Sequence, residues 1–412
     1  MSAPIDPGLL TRGPLGEVLR ALNGEGEETR LVGGAVRDLI LGETRGDFDL
    51  ATTALPVVTI ARARAAGFGV APTGIAHGTV TVIVEGKPFE VTTLREDVET
   101  DGRHAKVLFG RDFRLDALRR DFTINALSLD GEGRLYDYAG GLADLEARRV
   151  RFIGDARQRI REDFLRILRF FRFSARYAMG ALDADGFAAS IAERDGLMGL
   201  SRERVRAELL KLLAAPRAGE VVTLVCEAGL LTRLIAGAAD PARLRRLIAI
   251  EAARGEAADP LPRLAALCLI IREDAERLRD RLRLSNAEYE RLASVALSAE
   301  SLHGSLAPPS LGDLRILLFE RGRQGARDAI SLAHVDSGAA ADDARFGFAY
   351  RFVGDTPPPE LPFSGADIVA RGVGPGKRVG VVLKALQANW IRAGFPKEPE
   401  TLARLLDEAL NV

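Results

Sequence analysis

The feature that most constrains the fold is an abrupt change of hydrophobic periodicity at about residue 150. Before it, short runs rich in Val, Thr and Ile, such as GTVTVIVEGKPFEVTTL, are punctuated by Gly and Asp and are typical of β-strands. After it, segments such as EDFLRILRFFRFSARYAM repeat apolar residues every three or four positions, which is the period of an α-helix. We therefore expect an α+β protein, with a mixed β-sheet in the N-terminal part and helices alone thereafter.

Clusters of Pro and Gly indicate where the helical part divides. The stretches ESLHGSLAPPSLGD and VGDTPPPELPFSG interrupt the helical pattern near residues 300 and 357, and a further boundary is expected near 220. The sequence therefore predicts four segments: residues 1–150, 151–220, 221–356 and 357–412.

The composition indicates a folded protein that works away from membranes. The 412 residues are 47% hydrophobic and 28% charged, which is ordinary for globular domains. No apolar run approaches the roughly 18 residues of a membrane span, and the N-terminus lacks a basic-then-apolar leader. Cys226 and Cys268 lie in apolar helical patterns, which predicts buried free thiols rather than a disulfide or a zinc site. We expect a cytoplasmic protein.

A glycine pair follows the first apolar strand pattern. In LVGGAVRDLILG, Gly33 and Gly34 lie between a predicted strand and a predicted helix, where bare backbone amides can cradle a phosphate. Arg37, one turn further, can add a charge-assisted contact. The alternative is an ordinary glycine-rich turn.

Two carboxylates come next, in a strand pattern. Asp47 and Asp49 alternate with Phe48, so both should project from one face of the strand, as hard oxygen ligands of paired divalent metals do. Glu90 lies in PFEVTTLRED, in a strand expected to pair beside them. It either completes a metal-binding trio or faces solvent, and the sequence leaves both open.

Two later segments carry groups that bind nucleotides. In RRDFTINAL, Arg119 and Arg120 can pair with phosphates, whereas Asp121 and Asn125 can bond ribose hydroxyls. The alternative is a capped helix start with solvated charges. A three-residue spacing in EDFLRILRFFRF places four charged residues along one side of a predicted helix: Asp163, Arg166, Arg169 and Arg172.

The charge balance reverses between these regions. Residues 1–150 carry 18 Lys or Arg against 23 Asp or Glu, whereas residues 151–220 carry 14 against 10. An acidic metal site is therefore expected next to a basic helical segment, which suits an anionic substrate.

In this order, the motifs GGAVRD, DFD, RRDFTINAL, EDFLRILRFFRF and SRERVRAELLKLL resemble those of the class II tRNA nucleotidyltransferase and bacterial poly(A) polymerase family, over about residues 30–215. The resemblance implies a nucleotidyltransferase head on residues 1–150, followed by a helical neck, body and tail on the other three segments. It implies template-independent addition of C, C and A to the 3′ end of tRNA from CTP and ATP, with two Mg²⁺ ions and release of pyrophosphate. No membrane or protein partner is implied.

Other functions share these motifs. A poly(A) polymerase, or an enzyme that adds only CC or only A, carries the same set; the lack of a long Lys/Arg-rich terminal extension favours tRNA over generic RNA. A noncatalytic RNA-binding protein on the same scaffold would have no use for Asp47 and Asp49.

The resemblance also implies a role for each site residue. The catalytic and metal-binding carboxylates are Asp47 and Asp49, with Glu90 left open. The nucleotide-binding residues are Gly33, Gly34, Arg37, Arg119, Arg120, Asp121, Asn125, Asp163, Arg166, Arg169 and Arg172. Within this set, Asp163 and Arg166 match the pair that reads the incoming base. Three apart on one helix face, they are expected to match the amino donor and ring-nitrogen acceptor that C and A share.

Three further segments complete the sequence predictions. DGRHAKVLF, residues 101–109, resembles the family's flexible loop, with Ala105 where many members carry Pro. Lys377 and Arg378 follow a Gly-Pro-Gly turn and either contact an RNA phosphate or open a surface helix. Some relatives carry a phosphohydrolase domain with clustered His and Asp. The four histidines here are scattered, so we expect no such activity: His77, His104, His303 and His334.

Overall fold

The computed structural model describes residues 10–43, 48–96, 108–302 and 304–411. Its contacts divide the chain into two compact units, one ending at Leu200 and the other beginning at Ser201. This boundary falls inside the segment predicted at 151–220, and the finer division into four segments stays a prediction.

The first unit is built on a mixed seven-stranded sheet with the strand order β3-β4-β5-β2-β1-β8-β9. Strands β2 and β5 run parallel, and the other neighbouring pairs are antiparallel. A separate two-stranded pair joins β6 and β7. The strands are β1 Thr29–Val32, β2 Asp49–Thr52, β3 Gly69–Gly74, β4 Thr79–Val84, β5 Lys87–Thr93, β6 Arg95–Glu96, β7 Leu108–Phe109, β8 Leu127–Leu129 and β9 Leu135–Asp137. The predicted mixed sheet is confirmed.

Strand β3 is absent from the sequence prediction because its segment, GVAPTG, is rich in Gly and Pro. It forms the edge of the sheet and pairs only with β4. A Pro is tolerated there because an edge strand leaves some of its amides outside the ladder.

Eight α-helices and three short 3-10 helices have their bounds in the described part of this unit. The α-helices are α1 Gly13–Leu22, α2 Gly34–Ile40, α3 Pro56–Ala65, α4 Phe113–Leu118, α5 Gly141–Glu146, α6 Ala156–Glu162, α7 Leu165–Tyr177 and α8 Ala184–Ala192. The helices predicted from AVRDLILG and LPVVTIARARAAG correspond to α2 and α3. Helix α7 is strongly amphipathic, with its apolar face fully buried and arginines on the other side.

An aromatic cluster fixes α7 against the segment that precedes β8. The ring of Phe122 lies 4.8 Å from Phe152 and 5.2 Å from Phe173, and the ring of Phe152 lies 5.5 Å from Phe170. Burial of such rings and their tilted packing contribute several kcal/mol, about 2 or more for each ring. The backbone of Phe122 also pairs with Phe152, and both rings contact phenylalanines of α7, so the 119–125 segment is joined to α7 through this cluster.

In the described residues of the second unit every regular element is a helix. They are α9 Arg202–Leu213, α10 Ala218–Glu227, α11 Leu230–Ile235, α12 Pro241–Arg254, α13 Pro260–Cys268, α14 Glu273–Leu282, α15 Asn286–Leu302, α16 Leu311–Ser337, α17 Ala344–Asp355, α18 Gly365–Ala370, α19 Lys377–Arg392 and α20 Pro399–Leu410. Helix α16 is kinked at Gly322, whose φ of 66° no helical residue adopts. One apolar cluster surrounds Phe346 and another surrounds Trp390.

The two cysteines are free thiols in this unit. Cys268 is buried as predicted, whereas Cys226, near the end of α10, is only half-buried. Burial raises the pKa of Cys226 to about 11, so the thiol stays protonated. No helix in the described ranges combines the length and apolar character needed to cross a bilayer.

Candidate active site

A cavity of about 500 Å³ in the first unit brings most of the predicted site residues together. Eleven of the twelve residues that line it are predicted ones, and the twelfth is Phe173. They come from α2, β2, the 119–125 segment and the region of α7: Gly34, Arg37, Asp49, Arg119, Arg120, Asp121, Asn125, Asp163, Arg166, Arg169 and Arg172. A larger cavity of about 840 Å³, lined by Arg151, Arg157 and small residues of α8, contains none of them.

The cavity is electropositive. Six arginines and three aspartates line it, giving a formal charge of about +3. Guanidinium groups converging on one hollow bind phosphate oxygens through paired, charge-assisted hydrogen bonds. The cavity is therefore suited to a polyanion such as a triphosphate.

Gly33 and Gly34 have no side chains, and this leaves room for two of these guanidinium groups. A Cβ on Gly33 would lie 2.6 Å from Nη1 of Arg120, and one on Gly34 would lie 3.3 Å from Nη2 of Arg37. Gly33 also has a φ of 68°, which side chains disfavour. Helix α2 is only seven residues long, so its dipole is a weak reason for two glycines at its start. The close approach of the two arginines explains the glycine pair better. Gly33 itself does not line the cavity.

The carboxylates of β2 and β5 lie side by side. Asp49 opens β2 and is paired in parallel register with Glu90 of β5, and both residues are exposed. Phe48 stacks on the buried Phe89 with ring centroids 6.3 Å apart, so the residues that alternate with them face the other way. The predicted pairing of the Glu90 strand beside Asp49 is confirmed, although Glu90 does not line the cavity.

Asp47 lies outside the described residues, so the predicted Asp47 and Asp49 pair is described through Asp49 alone. Within the described ranges, no group of three or more His, Cys, Asp or Glu is placed to hold a metal ion. Carboxylate oxygens such as those of Asp49 are nevertheless the ligands that Mg²⁺ prefers.

A hydrogen-bonded chain crosses the floor of the cavity. Nη1 of Arg37 donates to Oδ1 of Asn125 at 2.5 Å, and Nδ2 of Asn125 donates to Oδ1 of Asp121 at 3.0 Å. Arg169 then pairs with Oδ2 of Asp121 at 2.6 Å. Asp121 and Asn125 are each 7% exposed, so the polar atoms that the sequence assigned to ribose are engaged with protein groups.

The buried Asp121 stays ionised. Its burial by itself would raise the pKa, but the charge of Arg169 and hydrogen bonds from Asn125, Arg169 and the Phe122 amide outweigh that effect. The pKa of Asp121 therefore lies below its usual value, and the carboxylate can hold Arg169 in place at neutral pH.

Asp116 is a residue that the sequence analysis missed. It is 4% exposed and accepts hydrogen bonds from both neighbouring arginines, at 2.5 Å from Arg119 and 3.0 Å from Arg120. Burial would raise the pKa of Asp116, but the charges of Arg120 and Arg119 lower it overall. The signal was available, because an Asp three and four residues before two arginines on a helix can reach both.

The predicted geometry of Asp163 and Arg166 is wrong. Helix α6 ends at Glu162 and α7 begins at Leu165, so Asp163 lies in the link between two helices, with extended φ and ψ of −156° and 105°. Its carboxylate accepts the Leu165 amide at 3.1 Å. The unbroken helical periodicity of the sequence concealed this break. Both side chains still line the cavity.

Arg166 is held by partners other than Asp163. Its Nη1 donates to Glu162 at 2.5 Å and to the carbonyl oxygen of Arg159 at 2.9 Å. Glu162, one turn earlier in the chain, is thus a second positioning residue that the sequence analysis missed.

Arg169 and Arg172 belong to one face of α7, as predicted. Their guanidinium carbons lie 5.3 Å and 4.1 Å from the ring centroid of Phe173, within the range of a cation–π contact. The buried ring of Phe173 therefore packs in the apolar core and also contacts two arginines of the cavity.

The remaining predicted residues lie elsewhere. Lys377 and Arg378 open α19 in the second unit. Residues 101–107 of the predicted loop lie outside the described residues, while Leu108 and Phe109 form β7.

Replacing Asp116 tests how strongly it holds its two arginines. We expect Asp116→Asn to lower the free energy of unfolding by about 1–3 kcal/mol, below the loss for a fully buried pair because the arginines are partly exposed. The control is Glu132→Gln, which removes an exposed carboxylate 4.0 Å from Arg134. This control should change the free energy of unfolding by less than about 0.5 kcal/mol.

The pH dependence of that difference has a defined sign. Because the folded-state pKa of Asp116 is lowered, its contribution is complete above about pH 5 and is lost progressively as the pH falls further. Urea unfolding of wild type, Asp116→Asn and Glu132→Gln between pH 3 and pH 7 measures this dependence. A loss of unfolding free energy in Asp116→Asn no larger than that in Glu132→Gln would contradict the role of Asp116.

Comparison with known proteins places this site in a family. A family model described as the poly A polymerase head domain matches residues 29–151, and one described as a probable RNA and SrmB-binding site of polymerase A matches residues 181–240. The mitochondrial CCA tRNA nucleotidyltransferase 1 of Mus musculus is 34% identical over 92% of this chain and 86% of its own. The CCA-adding enzyme of Geobacillus thermodenitrificans is 42% identical over 53% of each chain.

Solved structures agree with this assignment. The Bacillus stearothermophilus CCA-adding enzyme in complex with CTP superposes with a TM-score of 0.72 and 27% identity, over 98% of this chain and 97% of that one. A Thermotoga maritima CCA-adding enzyme complexed with tRNA has the same fold, with a TM-score of 0.67 at 20% identity over 98% and 96% of the two chains. The long match to the mouse enzyme reaches well beyond the head domain, and on that basis the chain belongs to the CCA tRNA nucleotidyltransferase family.

Proposed function

We propose that this protein adds C, C and A to the 3′ end of tRNA from CTP and ATP without a nucleic-acid template. The observation that carries the proposal is the electropositive cavity in which six arginines converge beside the Asp49 carboxylate. In the reaction, the terminal hydroxyl of the RNA gives up its proton to water, and its oxygen forms a bond to the α-phosphorus of the nucleotide. The bond from that phosphorus to the bridging oxygen breaks, and pyrophosphate leaves.

The arginines are proposed to bind and orient the triphosphate. Arg119 and Arg120, which are both held by Asp116, line the cavity together with Arg37. Negative charge on the leaving pyrophosphate would be stabilised by guanidiniums already held in place, which is how a preorganised site lowers a barrier. Arg169 and Arg172 contribute from α7.

Asp49 is proposed to hold Mg²⁺, together with Asp47 and, as the third carboxylate, Glu90. The support is that Asp49 is exposed at the start of β2 and that Glu90 lies in register beside it. Carboxylate oxygens of this kind are the hard donors that Mg²⁺ prefers. Two such ions would activate the RNA hydroxyl and neutralise charge on the phosphates.

Asp163 and Arg166 are proposed to select the base. Cytosine and adenine both present an amino donor beside a ring-nitrogen acceptor, whereas G and U present a carbonyl beside a ring N–H. A carboxylate next to a guanidinium is complementary to the first pattern only. Arg166 is clamped by Glu162 and the Arg159 carbonyl, and Asp163 is fixed in the link between helices, so neither group can turn easily to suit the other pattern.

The RNA partner is proposed to be tRNA, in keeping with the tRNA complex of the Thermotoga maritima neighbour. Lys377 and Arg378 at the exposed start of α19 are proposed to contact its phosphates. The cytoplasmic location stays a prediction, since the Mus musculus and Homo sapiens relatives are mitochondrial by name.

The most direct test of function supplies tRNAs that end before the CCA, after the first C and after the second C, each with one labelled nucleotide at a time. We expect C, C and A to be added in that order and addition to stop there. An Asp49→Ala variant should lose incorporation while retaining tRNA binding in a filter assay, because phosphate contacts position RNA separately from the chemistry. Long A tails on unrelated RNA would indicate a poly(A) polymerase, and addition of only C or only A would indicate a partial enzyme.

The base-selection proposal is tested by Asp163→Ala with all four nucleotides. We expect a lower rate with CTP and ATP and a loss of discrimination against UTP and GTP of about tenfold or more, since each unsatisfied buried polar group costs about 1–3 kcal/mol. Asp185→Ala, an exposed carboxylate in α8 outside this cavity, is the control. Near-normal rate with an unchanged preference for CTP and ATP would remove Asp163 from base recognition.

A further inference from the structure

Arg37 is clamped on three sides. Its Nε donates to Oδ1 of Asp38 at 2.8 Å, and its Nη1 donates to Asn125. The face of the guanidinium lies over the ring of Tyr177, with the guanidinium carbon 4.0 Å from the ring centroid. Its remaining nitrogen, Nη2, has no hydrogen-bond partner among the described residues and lies against Gly34, at the cavity wall.

Tyr177 contributes twice to this clamp. Besides carrying the guanidinium on its ring, it donates its hydroxyl to the same Oδ1 of Asp38 that receives Arg37, at 3.1 Å. Tyr177 is the last residue of α7, while Asp38 lies in α2. Arg37, Asp38 and Tyr177 are 5%, 8% and 7% exposed, so water does not compete for these contacts.

We propose that Tyr177 is a positioning residue that fixes the guanidinium of Arg37 so that Nη2 alone is presented to the phosphates of the incoming nucleotide. The proposal rests on the proposed function, in which Arg37 binds the triphosphate. A guanidinium already held in its bound orientation loses less conformational freedom when the ligand arrives, and this increases affinity. Tyr177 does not line the cavity and acts only through Arg37.

The hydroxyl is suited to this task over a wide pH range. Burial raises the pKa of Tyr177, and the charge of Asp38 adds to the effect against the opposing charge of Arg37. A hydrogen bond from Arg176 also opposes the rise, but the pKa of Tyr177 stays above its ordinary value, so the hydroxyl is protonated near neutral pH and can donate to Asp38. Loss of the hydroxyl should then have the same effect at pH 7 and pH 9.

The chain contains a matched arrangement outside the cavity. The guanidinium carbon of Arg30 lies 3.6 Å from the ring centroid of Tyr136, and the Tyr136 hydroxyl donates to Oδ2 of Asp130 at 3.0 Å. Tyr136→Phe therefore removes the same group from the same kind of contact without touching the nucleotide site, and it serves as the control for Tyr177→Phe.

The test measures KM for CTP and ATP, kcat, KM for tRNA and inhibition by pyrophosphate in wild type, Tyr177→Phe and Tyr136→Phe. In Tyr177→Phe we expect KM for both nucleotides and the inhibition constant of pyrophosphate to rise about three- to tenfold. Within about twofold, kcat, KM for tRNA and the preference for CTP over UTP should stay unchanged. Tyr136→Phe should match wild type in all of these quantities.

A binding measurement keeps this test separate from the proposed function. Calorimetric titration of each protein with tripolyphosphate requires no tRNA and no turnover, so a weaker affinity in Tyr177→Phe supports the clamp even if the chain adds nothing to tRNA. Asp38→Asn, which breaks the link from the other side, should weaken tripolyphosphate binding to a similar extent. Affinities for tripolyphosphate and pyrophosphate within twofold of wild type in a folded Tyr177→Phe protein would overturn the proposal.

Discussion

The site depends on one ion pair, between the buried Asp121 and the partly exposed Arg169. Asp121 belongs to the segment that leads into β8, and Arg169 belongs to α7, 48 positions further along the chain. The carboxylate is almost completely enclosed, and a single buried charge without a partner would be costly. The pair therefore forms only if α7 packs with its arginines toward the 119–125 segment, and that orientation also directs Arg166 and Arg172 into the cavity.

Apolar packing makes this orientation stable. Phe122, the residue directly after Asp121, enters the aromatic cluster with Phe152, Phe170 and Phe173. Two adjacent residues are thus both buried, Phe122 by its ring in the aromatic cluster and Asp121 by its carboxylate beside Arg169. The ring contributes the packing free energy, and the carboxylate fixes which way the polar face of α7 points. From Asp121 the hydrogen bonds continue through Asn125 to Arg37, so groups from three distant stretches of sequence have fixed relative positions.

Much of this could be predicted from local sequence. The alternation in DFDLATT and the glycine pair predicted β2 and the entry to α2, and the arginine spacing predicted the polar face of α7. These are short-range patterns, so residue spacing is enough to identify them. The list of cavity residues followed because the motifs themselves contain the charged groups.

The rest could not be predicted, because it depends on contacts that spacing does not encode. Tyr177 and Asp38 are 139 positions apart and meet only in the folded unit. The break at Asp163 was missed because helical periodicity continues across it, although the Asp163 backbone is extended and its carboxylate accepts the Leu165 amide. Asp121 and Asn125 line the cavity as predicted, but the sequence did not show that they also hydrogen-bond to protein groups. Polar residues in a motif can thus hold neighbouring side chains of the site in place through their own hydrogen bonds.

The measurement that tests this account most directly is a double-mutant cycle on Asp121 and Arg169, with CTP affinity as the readout. Asp121→Asn, Arg169→Gln and the double variant are each titrated with CTP, and their folding is checked by circular dichroism. If the pair is what orients α7, each single change weakens binding and the double variant is little weaker than the poorer single one, a coupling of about 1–3 kcal/mol. Losses that simply add would show that the two residues act independently, and would contradict the central role of this ion pair.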